Sequence, residues 1–231
     1  MPRQELPLID LFPLTTRPHS CHDLSLADAG IKALREIKIF ESPISLIKAI
    51  IDSDGTGEAA TALDDALKSS AKYKAWQKSV PKLKDVPNLK AYRTQKKNKN
   101  DIGAINTELE NIGAFLSSGQ ILYRGGHFPS EEFIIDRDPV STSMHPSVAR
   151  WHALTASKQI GVLRIVHSGS VVAFPYGTSG NQQLKQEFEV LLQGGLLFRQ
   201  ISSQNYGGLD IKFYDISTNN GVAPSEYMSI Q

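Results

Sequence analysis

The sequence predicts an α+β fold, with helices first and a β core second. Three observations carry this expectation. Apolar residues recur at helical spacing through the first half, short β-type runs separated by turns fill the chain after Gly119, and the two textures do not alternate as they would in a βαβ protein. At 231 residues, 40% of them hydrophobic, the chain is long enough to bury a sizeable core.

Residues 1 to about 23 are rich in Pro, His, Ser and Thr without periodicity, and read as an irregular lead. From Ser25 a helix is expected, with Ser25-Leu26-Ala27-Asp28 as its capped start and Leu26, Ile31, Leu34, Ile37 and Ile39 as its apolar face. A second helix is expected after Pro43, from about Ser45 to Ile51. It ends at Asp52-Ser53-Asp54-Gly55-Thr56-Gly57, which has the opening of a calcium loop. The twelfth place, however, is Leu63 where a bidentate Glu is needed, so the segment reads as a turn. Helical stretches are expected over about 58–79 and 101–118. The latter rests on Ile102, Ile105, Leu109, Ile112 and Leu116 and is closed by Gly119.

Strands are expected at 121–124, 133–135, 140–143, 161–166, 171–174, 187–192, 197–204 and 210–216, with a helix over about 146–156 between the third and fourth. The organisation is then a lead at 1–23, a helical basic region at 24–100, a β-rich core at 101–217 and a tail at 218–231.

Charge is unevenly distributed. Between Lys68 and Lys99 stand eleven Lys/Arg against one acid, Asp85, so this window carries +10 and the rest of the chain −9. An acidic protein, nucleic acid or an anionic membrane could meet such a patch, but lysines spread through helical sequence more often solvate an exposed face. That reading is preferred, and nucleic acid is not an expected partner. No apolar run is long enough to span a bilayer, and the first residues lack the form of a secretory signal. The expectation is a soluble protein, with Cys21 unable to pair internally and Cys21, His19 and His22 too few for a metal site.

Three segments carry chemistry. Leu122-Tyr123-Arg124-Gly125-Gly126 sets a planar, permanently charged guanidinium at the end of an apolar strand, suited to a diphosphate. Asp138-Pro139-Val140-Ser141-Thr142-Ser143 puts Ser141 and Ser143 on one strand face, where a hydroxyl can orient a carboxylate. Gln186-Glu187-Phe188-Glu189-Val190-Leu191-Leu192 reads as a core strand with two carboxylates on one face and Phe188 on the other, costly without partners or a task. The turn-rich Tyr176-Gly177-Thr178-Ser179-Gly180-Asn181 before it reads as a loop able to close over a ligand.

In this order, the segments resemble the mono-ADP-ribosyltransferases of the Arg-Ser-Glu class, which includes cholera-like and C2/C3-like bacterial toxins and injected effectors. The resemblance covers about residues 101–216. It rests on Leu-Tyr-Arg-Gly, on Ser-Thr-Ser followed by Pro146, Ala149 and Ala153, and on Glu-Phe-Glu-Val-Leu-Leu followed by Gly195 and Phe198.

The resemblance implies a core of two small β-sheets with NAD in the cleft between them, preceded by helices. It implies NAD as substrate, no metal, and a target protein as partner, reached in another cell's cytosol after secretion or injection. Arg124 would bind the NAD phosphates and Gly125 the nicotinamide amide, with Ser141, Thr142 and Ser143 at the nucleotide. Ser141 would orient Glu189, and Glu189 would hold the ribose as nicotinamide leaves. Glu187 would engage the acceptor, and a Glu at that place favours arginine. Three alternatives stay open: an NAD glycohydrolase, a transferase to another acceptor such as threonine, and a catalytically silent binding module working through the basic segment.

Overall fold

Ser42 and Ser45 start the first helix of the structure, a computed structural model that describes residues 3–16, 37–94, 101–135, 137–176, 188–218 and 227–228. The two serines bond reciprocally between side chain and backbone, and Pro43 pre-sets the first turn. Helix α1 (Pro43–Asp52) then buries Leu46, Ile47, Ile50 and Ile51. The expected turn follows, and after it the stretch expected as helical over 58–79 divides into α2 (Gly57–Ser69) and α3 (Ala71–Ser79). Ser70 causes the break: its backbone is extended, and its hydroxyl accepts from Tyr73 N–H to cap α3. Tyr73 and Trp76 face inward while Lys72, Lys74 and Lys78 face solvent, as a solvated lysine face requires. Helix α4 (Pro87–Arg93), begun by a proline at its first turn, was not among the expected elements.

Helix α5 (Ile102–Ile112) corrects the expectation of a helix reaching residue 118. At Gly113 a methyl would meet Val172 Cγ1 at 2.5 Å and Leu109 O at 2.6 Å, so the chain passes here only without a side chain. Ala114–Leu116 then pairs with distant strands instead of continuing the helix. Gly119, at φ +83°, turns the chain into the next strand.

One half of the sheet runs in the order β1 (Glu5–Leu6), β4 (Ala114–Leu116), β9 (Val172–Pro175), β10 (Glu189–Leu192), β7 (Val140–Ser143). The other runs β5 (Ile121–Gly125), β8 (Gln159–Ile165), β12 (Leu209–Thr218), β11 (Leu196–Tyr206), β6 (Glu132–Ile135), β13 (Tyr227–Met228). A single residue pair, Tyr123 opposite Ser143, joins the halves, so β5 and β7 touch once and then part. The expected pair of small sheets takes this form. A separate ribbon, β2 (Leu14–Thr15) with β3 (Ile39–Phe40), lies outside both. The β11–β12 hairpin closes through Gly207-Gly208, both at positive φ, as a two-residue turn matched to strand twist demands.

The segment read as an irregular lead is fastened to the body. β1 runs parallel to β4, Leu6 and Ile9 are buried, Ile9 N donates to Gln120 Oε1 at 2.9 Å, and the fully buried Trp76 donates from Nε1 to Pro7 O at 2.8 Å. Phe128, Phe133, Phe198 and Tyr214 form an aromatic cluster under the second half. Helix α6 (Pro146–Thr155) lies against β5, burying Ala149 and Ala153. Of the helix expected from Ser25, residues 25–36 lie outside the described residues, and the last two positions of its expected apolar face are a correction: Ile37 and Ile39 are exposed, and Ile39 of β3 pairs with Thr15 instead of continuing a helix. Cys21 with its flanking His19 and His22, and the loop at 177–181, lie outside the described residues. No described helix is long and apolar enough to cross a membrane, and no group of three potential metal ligands occurs among the described residues.

Candidate active site

The gap where β5 and β7 part is a cavity of about 420 Å³, within the usual range for small-molecule sites. Its walls include Tyr123, Arg124 and Gly125 from β5, Ser141, Thr142 and Ser143 from β7, Glu189 from β10, Tyr92 from α4, and Ala149 and His152 from α6. Because β7 pairs with both β5 and β10, Arg124 and Glu189 approach Ser141 from opposite sides. Arg124 Nη1 donates to Ser141 O at 2.6 Å, and Ser141 Oγ donates to Glu189 Oε1 at 2.8 Å. The other carboxylate oxygen, Oε2, lies 3.4 Å from Arg93 Nε of α4. Residues 93, 124, 141 and 189 thus make one continuous polar chain across both halves of the sheet.

The other two hydroxyls of β7 have different work. Thr142 Oγ1 donates to Val190 O at 2.6 Å and ties β7 to β10, while Ser143 Oγ accepts from His145 N at 2.9 Å. Gly125 sits where a methyl would overlap Ala149 O of α6, so its missing side chain is what lets helix and strand meet beside the cavity.

Beneath the site, Phe188 corrects the expected alternation. Its φ of +45° is not extended, β10 begins only at Glu189, and Phe188 is buried against Tyr73 and His145 with centroids at 5.5 and 6.0 Å. It points into packing as expected, but an unbroken strand through residues 187–189 is absent, so two shared-face carboxylates cannot be inferred from strand geometry. Glu187 itself lies outside the described residues.

Several solved structures are similar to this chain. They include the Vis toxin of Vibrio splendidus, at 12% identity and TM-score 0.39 over 82% of this chain and 92% of that one. Plx2a of Paenibacillus larvae has 13% identity and TM-score 0.39 over 67% and 96%, and the C3 exoenzyme of Clostridium limosum 16% and 0.39 over 67% and 94%. These are bacterial mono-ADP-ribosyltransferase toxins. No family model and no curated protein matches the sequence. The chemistry open to this chain follows from the geometry of its site.

The electrostatics of that geometry are uneven. Burial pulls the Arg124 guanidinium below its ordinary pKa, with the Tyr92 hydroxyl opposing. Burial pushes Tyr92 up to about 12 against Arg124, with Glu189 and Asp138 adding to the rise, so Tyr92 is a neutral phenol that donates to Pro139 O at 3.2 Å. His152 is held below its usual value by burial and by Arg124, so it is neutral at physiological pH. A larger cavity of about 610 Å³ between α2 and α6 adjoins the first and shares Val148 and His152 with it.

Tyr92, Arg93 and His152 of this site escaped sequence reasoning, as did the neighbouring His145. Arg93 carried a signal: it is an arginine in a window of lysines, and Leu89, Tyr92 and Arg93 follow Pro87 at i, i+3, i+4 spacing, which marks one helical face. His145 carried none, since its role depends on where α2 lies. Its Nδ1 accepts from Ser147 N at 3.2 Å to cap α6, which assigns the proton to Nε2, 3.3 Å from Ala60 O and 3.7 Å from Asp64 Oδ1.

Burial lowers the His145 pKa against the Ala60 carbonyl and Asp64, with Lys68 lowering it further. A folded value below the unfolded one, about 6.5, makes this contribution to stability complete above pH 6.5. It is lost as the pH falls from there through the folded value. Thermal unfolding between about pH 7.5 and 5 should show Tm falling with pH, and His145→Asn, which keeps a capping acceptor, should flatten that slope. An equal slope in the variant would free His145 of this role.

Proposed function

We propose that this chain is a mono-ADP-ribosyltransferase that cleaves NAD and transfers ADP-ribose to a target protein, with arginine as acceptor. The observation that carries the reading is the hydrogen bond from Ser141 Oγ to Glu189 Oε1 beside the Arg124 guanidinium. It joins the three segments that resemble the family in one cavity. NAD fits the donor set, having a diphosphate for a guanidinium and a ribosyl–nicotinamide bond whose cleavage builds positive charge.

In this mechanism Arg124 holds the diphosphate, and Ser141 aims Glu189 at the ribose. The bond between ribose C1′ and the nicotinamide nitrogen breaks with its electron pair leaving on nicotinamide, and the Glu189 carboxylate stabilises the cationic sugar. A guanidinium nitrogen of the target then bonds to C1′ and gives up a proton, for which Glu187 is the proposed acceptor. Neutral His152 and Tyr92 line the cavity without adding charge to oppose the developing cation.

The test is a split of activities. Nicotinamide leaves before or as the acceptor attacks, so Glu187→Gln should lose transfer to protein about 10²-fold while keeping most of the slow hydrolysis of NAD. Equal loss of both would remove the support for arginine. Unchanged transfer would take Glu187 out of the reaction altogether.

A further inference from the structure

We propose that Arg93 is the positioning residue of Glu189: its guanidinium and the Ser141 hydroxyl grip the carboxylate by opposite oxygens. The proposal rests on the transferase reading and deepens it.

A glutamate at the end of a strand has three rotatable bonds, and its terminal torsion is broad, so one hydrogen bond does not fix the carboxylate plane. Here Ser141 Oγ holds Oε1 at 2.8 Å and Arg93 Nε lies 3.4 Å from Oε2, with the two charged side chains only 7% and 12% exposed. At that burial the pair is poorly screened, unlike an exposed ion pair.

The cation is itself held in place. Its guanidinium carbon stands 4.6 Å over the Tyr176 ring, and the Tyr176 hydroxyl donates to Leu89 O of the same helix. Helix α4 is pinned at both ends: Glu108 Oε2 accepts from Leu89 N at 2.7 Å, and Tyr92 donates to Pro139 O just before β7. Arg93 is thereby set against the strand that carries Ser141. Lysine could supply the charge at this position but not a planar group that lies over a ring and faces a carboxylate.

Among the described residues, the remaining titratable groups around Glu189 are Tyr92 of α4, Tyr176 after β9, Arg124 of β5 and His152 of α6. Burial raises both phenols, so neither ionises in the acid range, where Glu189 must lose its proton to act. Asp138 and Glu108 act on these phenols from farther out. Arg93 is the cation that an ion pair links to the carboxylate.

The experiment measures kcat and KM for nicotinamide release from NAD between about pH 4 and 8 for wild type, Arg93→Gln and Arg93→Lys, with Tm as a check on folding. Removing the cation should move the acid limb of Arg93→Gln up by about one unit, with kcat falling about ten-fold and KM for NAD changing less. Arg93→Lys should leave the acid limb in place and still lose kcat, because charge returns without the planar grip. An unmoved limb with a raised KM in Arg93→Gln would overturn the proposal and place Arg93 on NAD itself. Should that variant not fold, wild-type kcat in Arg93→Lys would overturn it equally. A wild-type chain inert toward NAD would instead refute the transferase reading, so the two failures are distinguishable.

Discussion

Glu189→Gln is expected to keep the fold and lose nicotinamide release by about 10²- to 10³-fold. The amide is isosteric and can still accept from Ser141 Oγ at the position of Oε1, so the β7–β10 pairing and the Thr142 to Val190 bond are undisturbed. What is lost is charge. A neutral amide cannot stabilise a sugar that turns cationic as nicotinamide departs, and the low exposure of the site makes that single charge matter more than it would in water. Circular dichroism should match wild type while the rate collapses. A variant within a few-fold of wild type would remove Glu189 from the mechanism.

Gly125→Ala is expected to destabilise the fold by about 3 kcal/mol, or roughly 6 to 12 °C in Tm for a domain of this size. The new methyl would overlap Ala149 O and stand 2.6 Å from Ala153 N. Both are backbone atoms of α6, and no rotamer can move them aside. Relief requires the helix to back away from β5, which would expose Ala149 and Ala153 and draw His152 and Val148 out of the cavity wall. Activity should fall with stability. A Tm within a degree or two of wild type would show that α6 moves at little cost and that the fit of helix to strand is loose.

The strands from β5 to β12 were legible because each is a run of apolar and β-branched residues bounded by turn formers, a local signal, whereas β13 falls in the segment read as a tail and exists through its pairing with β6. The three motif segments were legible for the same reason, and the fold brings Arg124, Ser141 and Glu189 together. What the sequence hid was long-range. β4 has only three residues and exists because β1 and β9 flank it, so Leu116 could pass as the last turn of a helix. Ser70 was a cap inside what read as one helix, and Phe188 takes a left-handed backbone with no glycine to announce it. Arg93 lay in a window whose charge invited a surface reading, and the described lysines of that window, from Lys68 to Lys90, do face solvent. A residue's sign and spacing do not reveal that one member of a basic run turns inward to meet a carboxylate from a strand 96 residues later.

The central claim, that ADP-ribose is transferred from NAD to protein, is tested most directly with NAD labelled on both adenine and nicotinamide, incubated with the chain and a cell extract. The account predicts adenine label retained on protein after denaturation, nicotinamide label released to solution in matching molar amount, and neither in the Glu189→Gln control. Nicotinamide released while all adenine label stays soluble would make the chain a glycohydrolase, and no release at all would contradict the account at its root.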